Sequence, residues 1–170
     1  GYVCTFSAMV LKGRQAHLFH IGDARMFRVS GAALEQLTND HRVILSSVES
    51  YLGRALGVNA QVEIDYRVEA INPGDVFVLA TDGVYEFVDS AFVTGAISSA
   101  ADLNAAARAI VEEALRRGSD DNLTIQIVRV DDVRFRLHPR TPSGALDQHL
   151  GVGRGRFPRV LAHPLRQTSR

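Results

Sequence analysis

Short runs of apolar residues, separated by polar or glycine-containing segments, organise the first part of the chain, and this pattern is typical of β-strands. Residues 2–11 and 16–21 are rich in Val, Phe, Leu and Ile, and the segment 12–15 lies between them. Two such runs joined by a short turn-forming segment predict a β-hairpin. The segment 39–51 shows no clear period, so helix and loop both stay open there.

Further runs predict strands that differ in burial. One run alternates apolar and polar residues, which indicates a strand with one face towards the core. Another is apolar throughout and follows the turn segment Asn72-Pro73-Gly74-Asp75, which indicates a buried strand. The alternating strand is predicted over residues 62–68, the buried strand over 76–80, and the remaining strands over 26–29, 34–37 and 123–130.

Two segments between the last two strands have helical periodicity. The stronger begins after Asp102, a favourable N-cap residue, and places its apolar residues on one face. It ends at Arg116-Arg117-Gly118, where the helix dipole favours cations and the C-terminus favours glycine. The weaker helix is predicted over residues 90–97.

The C-terminal segment differs in composition from the rest of the chain. Residues 1–133 carry 11 basic and 18 acidic side chains, whereas residues 134–170 carry eight Arg and one Asp. The second segment also holds four of the five prolines, so we expect a flexible tail, rich in Arg, Pro and Gly, after a domain at 1–133. Its arginines suit phosphate contacts, but nucleic-acid binding ranks last because only Phe135 and Phe157 accompany them as aromatic residues.

The amino-acid composition limits the class of protein and the cellular compartment that we expect. The chain is 46% hydrophobic and 22% charged, as in ordinary globular domains, and no apolar run is long enough to span a membrane. Cys4 is the only cysteine, which excludes an intrachain disulfide and favours a reducing compartment, so we expect the cytoplasm. Cys4 itself is expected to be a small buried residue in a strand.

Acidic residues stand next to several predicted strands. Asp82 directly follows the buried strand, Asp121 shortly precedes the last strand, and Asp23 follows the hairpin. Carboxylates brought to one end of a sheet can hold a hard divalent cation. Each of them alone is equally typical of a turn in which the side chain caps backbone groups.

The acidic residues belong to short motifs that occur in a consistent order along roughly residues 1–131. These are Phe19-His20-Ile21-Gly22-Asp23-Ala24-Arg25, Leu37-Thr38-Asn39-Asp40-His41, Leu52-Gly53-Arg54-Ala55-Leu56-Gly57, Pro73-Gly74-Asp75, Ala80-Thr81-Asp82-Gly83-Val84 and Asp120-Asp121-Asn122-Leu123-Thr124. Together they closely resemble the PP2C (PPM) family of metal-dependent serine/threonine protein phosphatases, and the bacterial members most.

The resemblance implies an α+β fold, with antiparallel strands and helices on one side forming part of an α-β-β-α sandwich. It implies hydrolysis of phosphoproteins with two Mg²⁺ or Mn²⁺ ions, and a weaker third ion in many members. By motif position, Asp82 and Asp121 match ligands of the metal pair, Asp23 matches a ligand of the third metal, and Gly83 and Asn122 match supporting positions. A cognate serine/threonine kinase is a further partner that the bacterial resemblance suggests.

The sequence also departs from the family pattern. The family's N-terminal motifs, which supply a phosphate-binding arginine and further aspartates, do not occur, so we expect a C-terminal portion of the domain with little activity alone. A non-catalytic regulatory module with the same fold is the alternative. Glu86 is expected to be a solvated surface acid, His20 a hydrogen-bonded core residue and His41 a polar anchor without a chemical role.

Overall fold

A computed structural model describes residues 2–44 and 50–133 of the 170-residue chain. The chain divides into two units, residues 1–133 and 134–170, and the second unit lies outside the described residues. The flexible tail therefore stays a prediction. Residues 45–49 are likewise outside the described residues, but the rest of the segment 39–51 contributes strand residues at 42–44 and 50–51, where helix or loop was expected.

Antiparallel strands account for most of the described elements. They form a three-stranded sheet in the order β1-β2-β7, a four-stranded sheet in the order β4-β3-β8-β9, and a β5-β6 ribbon. We call the first the hairpin sheet and the second the central sheet. The strands are β1 (Phe6–Lys12), β2 (Gln15–Ile21), β3 (Arg25–Ser30), β4 (Ala33–Gln36), β5 (Arg42–Ile44), β6 (Ser50–Leu52), β7 (Asp65–Ala70), β8 (Val76–Ala80) and β9 (Ile125–Arg129).

Three helices lie between β8 and β9 in the chain. They are α1 (Asp82–Tyr85), α2 (Ser90–Ser99) and α3 (Leu103–Arg116). The Asp102 side chain accepts a hydrogen bond from the Ala105 N–H, which confirms the predicted N-cap of α3. Gly118 has a φ of +94°, the left-handed conformation that favours glycine after a helix.

Two apolar clusters hold the layers together, because the central sheet buries side chains on both faces. One cluster lies between the two sheets and the other between the central sheet and the helices. The first comprises Ala16, Leu18, Met26, Leu37, Ile71, Phe77 and Val130. The second comprises Phe27, Val78, Ala80, Val84, Val88, Val93, Ile110 and Ala114. Adjacent residues Phe77 and Val78 thus face opposite layers, as alternation along a strand requires.

The layer order confirms the predicted α+β class with helices on one side of antiparallel strands. The opposite, outer face of the hairpin sheet stays exposed within the described residues. On this face Phe6, Val10, Tyr66 and Val68 are 41%, 51%, 57% and 39% exposed. Their side chains share one face because successive strand residues alternate and the register pairs Val10 and Val68 with the same β2 residue, His17.

The predicted alternating strand at 62–68 is shifted in the structure. β7 begins at Asp65, which pairs with His20, and continues to Ala70, which pairs with Gln15. β2 ends at Ile21, so residues before Asp65 have almost no length of partner strand left. Val62 and Ile64 are consequently 46% and 43% exposed although their spacing fits a strand.

Candidate functional site

The site lies at one end of the central sheet, where three strands begin or end together. Ala80, the last residue of β8, pairs with Arg25 at the start of β3 and with Ile125 at the start of β9. The loops that carry Asp23, Asp82 and Asp121 all adjoin these three residues. The antiparallel order therefore brings the three predicted acidic positions to the same edge of the sheet.

Thr81 joins the loop after β8 to the loop before β9. Its Oγ1 donates to the Asn122 carbonyl oxygen at 2.9 Å and accepts from the Thr124 N–H at 3.0 Å. Its own N–H donates to the Thr124 carbonyl oxygen at 3.1 Å. These hydrogen bonds continue the pairing of the two strands into their loops and fix the relative position of Asp82 and Asp121.

Gly83 lets these two loops approach closely. A Cβ atom at Gly83 would lie 2.9 Å from the Asn122 carbonyl oxygen and 3.3 Å from the Cβ of Asp121. The Gly83 carbonyl oxygen in turn accepts from the buried Ser119 hydroxyl at 2.8 Å. The two residues that the resemblance marked as supporting, Gly83 and Asn122, thus lie against each other beside Asp121.

The Asp82 carboxylate has fixed hydrogen-bond partners. Its Oδ1 accepts from the Gly83 N–H at 3.0 Å, and its Oδ2 accepts from Arg42 Nη2 at 2.7 Å. Burial raises the pKa of Asp82, and the charges of Asp23 and Asp121 raise it further, against the lowering effects of Gly83 and Arg42. The raised pKa means that burial and the nearby charges of Asp23 and Asp121 together oppose ionisation of Asp82.

Asp121 is the more exposed carboxylate of the pair. Its Oδ1 accepts from the Asn122 N–H at 2.6 Å, which ties the side chain to its own loop. Asp121 therefore keeps an ordered carboxylate at the surface of the site, next to Gly83.

Asp23 has a different environment. The residue is buried, at 8% exposure, and its Oδ2 accepts from Arg42 Nε at 2.7 Å. The Tyr85 hydroxyl donates to the Asp23 carbonyl oxygen at 2.9 Å, which ties this loop to α1. Burial raises the pKa of Tyr85 above its ordinary value, so this hydroxyl stays a donor at neutral pH.

Arg42 is a site residue that the sequence did not reveal. It stands at the start of β5, and its guanidinium contacts the carboxylates of Asp23, Asp82 and Glu86. The only signal in the sequence is that an arginine follows the Asp40-His41 motif. Glu86, expected as a solvated acid, is half exposed but paired with this guanidinium.

His41 fixes the loop that carries Asp23. Its Nδ1 accepts from the Gly22 N–H at 3.1 Å, and its Nε2 lies 2.9 Å from Asp65 Oδ2 and contacts the Arg54 guanidinium. The His41 N–H also donates to the Gly22 carbonyl oxygen at 2.8 Å. The residue is a buried polar anchor, as its motif position indicated.

Two other expectations from the sequence have different outcomes. His20 is a hydrogen-bonded core residue, as predicted: it is 2% exposed and contacts the Ser7 hydroxyl and the Asn39 carbonyl oxygen. Cys4 was predicted to be buried, and this is wrong, because the residue is exposed. It forms only an isolated bridge with Leu56 and belongs to no strand that packs over it.

The donor chemistry around Asp82 and Asp121 fits a hard divalent cation, since both side chains offer carboxylate oxygens on adjoining loops. The donor set is incomplete, because within residues 2–44 and 50–133 no three His, Cys, Asp or Glu side chains are grouped to hold a metal ion. Arg42 donates to Oδ2 of Asp23 and to Oδ2 of Asp82 at 2.7 Å each, so the arginine competes with a cation for both carboxylates.

Comparison with known proteins places this arrangement in a known class. The serine/threonine phosphatase stp of Listeria monocytogenes serotype 4b is 26% identical over 146 residues, which are 77% of this chain and 58% of that protein. The structure of the catalytic domain of the serine threonine protein phosphatase PstP, in complex with 2 manganese ions, is 27% identical. It matches with a TM-score of 0.67 over 76% of this chain and 60% of that one.

A third similar structure is that of PppA, described as a key regulatory component of T6SS in Pseudomonas aeruginosa. It is 32% identical, with a TM-score of 0.68 over 74% of this chain and 56% of that chain. The chain thus spans less than two thirds of the length of these relatives.

The shared fold makes this a PP2C-type phosphatase domain over the part of the chain that is compared. Residues 4–131 match the sequence profile of the family described as Stage II sporulation protein E (SpoIIE). The chain belongs to that family. In the part of the chain that the structure describes, no helix has the length and apolar character needed to cross a membrane.

Proposed function

We propose that the protein is a metal-dependent phosphatase that hydrolyses phosphorylated serine and threonine residues of proteins. Membership of the SpoIIE family and the named phosphatases among its relatives support this proposal. The observation that carries it is the close approach, at Gly83, of the two loops that hold Asp82 and Asp121. The 170-residue chain supplies these two carboxylates, and the complete activity is proposed for the full gene product.

In this proposal Asp82 and Asp121 hold Mn²⁺ or Mg²⁺. Two bound ions would activate a water molecule and neutralise charge on the phosphate. Gly83 lets the two loops approach closely, and the Thr81 hydroxyl joins them by hydrogen bonds at 2.9 and 3.0 Å. The Asn122 N–H orients the Asp121 carboxylate through its Oδ1. In the proposal these residues position the two ligands.

The substrate, the opposing enzyme and the cellular compartment are part of the same proposal. A phosphoprotein is the proposed substrate, a cognate serine/threonine kinase the proposed opposing enzyme, and the cytoplasm the proposed compartment. The relatives named as phosphatases support catalysis. We do not favour the alternative of a non-catalytic module, for which the fold offers no separate observation.

An aryl-phosphate assay on the complete gene product tests the proposal. We expect turnover that depends on added Mn²⁺ and that falls by about 10²-fold or more in Asp82→Asn and Asp121→Asn, because each change removes an ionised ligand. Asp120→Asn is the matched control, since it removes a neighbouring exposed carboxylate that is not assigned to the site. Full activity of Asp121→Asn would show that the metal site lies elsewhere.

A further inference from the structure

Arg42 makes an unusual set of contacts for one arginine. Its Nε donates to Asp23 at 2.7 Å, its Nη2 to Asp82 at 2.7 Å and its Nη1 to Glu86 at 3.0 Å. All three guanidinium nitrogens are therefore used, each by a different carboxylate. These carboxylates come from the loop before β3 and from the region of α1, so Arg42 joins two parts of the site.

The setting of these contacts is partly shielded from water. The side chains of Asp23, Arg42 and Asp82 are 12%, 28% and 29% exposed. Burial alone would lower the pKa of the Arg42 guanidinium, but the Asp23 hydrogen bond and the acidic charges around it raise the pKa overall. The guanidinium is thus permanently charged and offsets repulsion among three acids, which together carry more charge than it neutralises.

The planar shape of the guanidinium also determines how the carboxylates are arranged around it. Its planar fork spreads its partners around it, whereas a divalent cation needs oxygens that converge on one point about 2.0 to 2.6 Å away. Three acids lie around one centre here, and each contacts a different nitrogen of the guanidinium. The position that a cation would take among them is filled by the protein's own positive charge.

We propose that Arg42 is a built-in counter-cation that occupies the centre of the Asp23, Asp82 and Glu86 cluster and keeps divalent metal ions out of it. Asp23 is then a partner of Arg42 and not a metal ligand, which differs from the role that the motif resemblance implied for it. In this proposal Asp82 interacts with two positive charges, the Arg42 guanidinium and the bound metal ion. Its Oδ2 accepts from Arg42, and its Oδ1 accepts from the Gly83 N–H.

The inference rests on the proposed function only in that Asp82 takes part in metal binding. The two fail in different ways. If Asp82→Asn and Asp121→Asn leave Mn²⁺ binding unchanged, the proposed metal pair is wrong. If Asp23→Asn changes Mn²⁺ binding while Arg42 is in place, the role proposed for Arg42 is wrong.

Electron paramagnetic resonance of free Mn²⁺, titrated with the 170-residue chain, measures binding without any assay of activity. The variants are Arg42→Gln, Asp23→Asn and the two combined. Arg129→Gln is the matched control, since Arg129 pairs with Asp131 at the far end of β9 from the site. Circular dichroism establishes which variants are folded before the titrations are compared.

We expect Asp23→Asn to bind Mn²⁺ as the unmodified chain does, because Arg42, which contacts Oδ2 of Asp23, stays in the cluster and repels a second cation. Arg42→Gln is expected to bind one additional Mn²⁺, with affinity about tenfold or more above the unmodified chain at that stoichiometry, since three carboxylates can then converge. Adding Asp23→Asn to Arg42→Gln should abolish the gain. The Arg129→Gln chain should titrate like the unmodified chain.

Two results would overturn the proposal: no additional Mn²⁺ in Arg42→Gln, or weaker Mn²⁺ binding in Asp23→Asn than in the unmodified chain. If Arg42→Gln does not fold, Arg42→Met replaces it, because methionine keeps a long unbranched side chain without the charge. The added site is expected there as well, and its absence in the folded methionine variant would equally reject the role of Arg42.

Discussion

Gly83→Ala provides a direct test of how tightly the two site loops are packed. The new Cβ would lie 2.9 Å from the Asn122 carbonyl oxygen, 3.3 Å from the Cβ of Asp121 and 3.3 Å from a methyl of Leu123. The nearest of these is a backbone atom held by the Thr81 hydroxyl, so it cannot rotate away as a flexible side chain would.

Two effects of this substitution oppose each other. Replacing glycine by alanine inside a helix ordinarily stabilises a protein by about 0.5 to 1 kcal/mol. Forcing an extra methyl group into a packed contact costs about 1 to 3 kcal/mol. Since Gly83 lies in a helix of only four residues and meets three neighbours, we expect the contact cost to dominate by about 2 kcal/mol.

Thermal melting of the 170-residue chain measures the result. A loss of that size should lower Tm by about 6 to 10 °C for a unit of this length. Gly95→Ala is the matched control, because Gly95 lies within α2 and a Cβ there would meet nothing within 4 Å. It should raise Tm by about 2 to 4 °C. Equal stabilisation by both substitutions would refute the close approach of the loops.

Three further substitutions test the layers and the anchors. Phe77→Ala, at the centre of the cluster between the sheets, should lower the free energy of unfolding by about 3 to 5 kcal/mol in urea titrations, and retention of stability would contradict the packing. Asp102→Ala should cost about 1 kcal/mol in the same assay by removing the cap of α3, whereas Asp120→Ala should be near neutral. Asp65→Asn concerns pH: burial opposes ionisation of Asp65, but His41 and Arg54 outweigh it and lower its pKa. The carboxylate therefore stabilises the fold above about pH 4, and the Tm difference between variant and unmodified chain should shrink as pH falls below that value. A difference that is constant with pH would exclude this ion pair as its source.

Local patterns predicted the elements whose sequence and packing agree. β8 occupies the predicted residues because it is the buried strand between two sheet neighbours, and α3 follows its cap and its apolar face. The shift of β7 to Asp65–Ala70 could not be predicted, because its start depends on where β2 ends and not on its own alternation.

The same distinction holds for the site. Asp82 and Asp121 were recognisable because each adjoins an apolar strand and the antiparallel order joins their loops. Arg42 was not recognisable, because its three partners are 19, 40 and 44 residues away in sequence and no local pattern connects them. The motif position of Asp23 predicted that this residue lies at the site. Its ion-pair partner, Arg42, could not be predicted, because the contact depends on the tertiary structure.

The exposed outer face of the hairpin sheet affects how the chain behaves in concentrated solution. Phe6, Val10, Tyr66 and Val68 expose apolar side chains on this face, and β1 leaves one backbone edge of the sheet unpaired within the described residues. Sulfate and phosphate salts strengthen the burial of such surface. A formal net charge of zero already weakens the repulsion between molecules, and the exposed face should make self-association in these salts stronger than the low charge alone would. For the described residues, the surface on which such salts act most strongly is thus the sheet farthest from the helices and not the acidic end that carries the site.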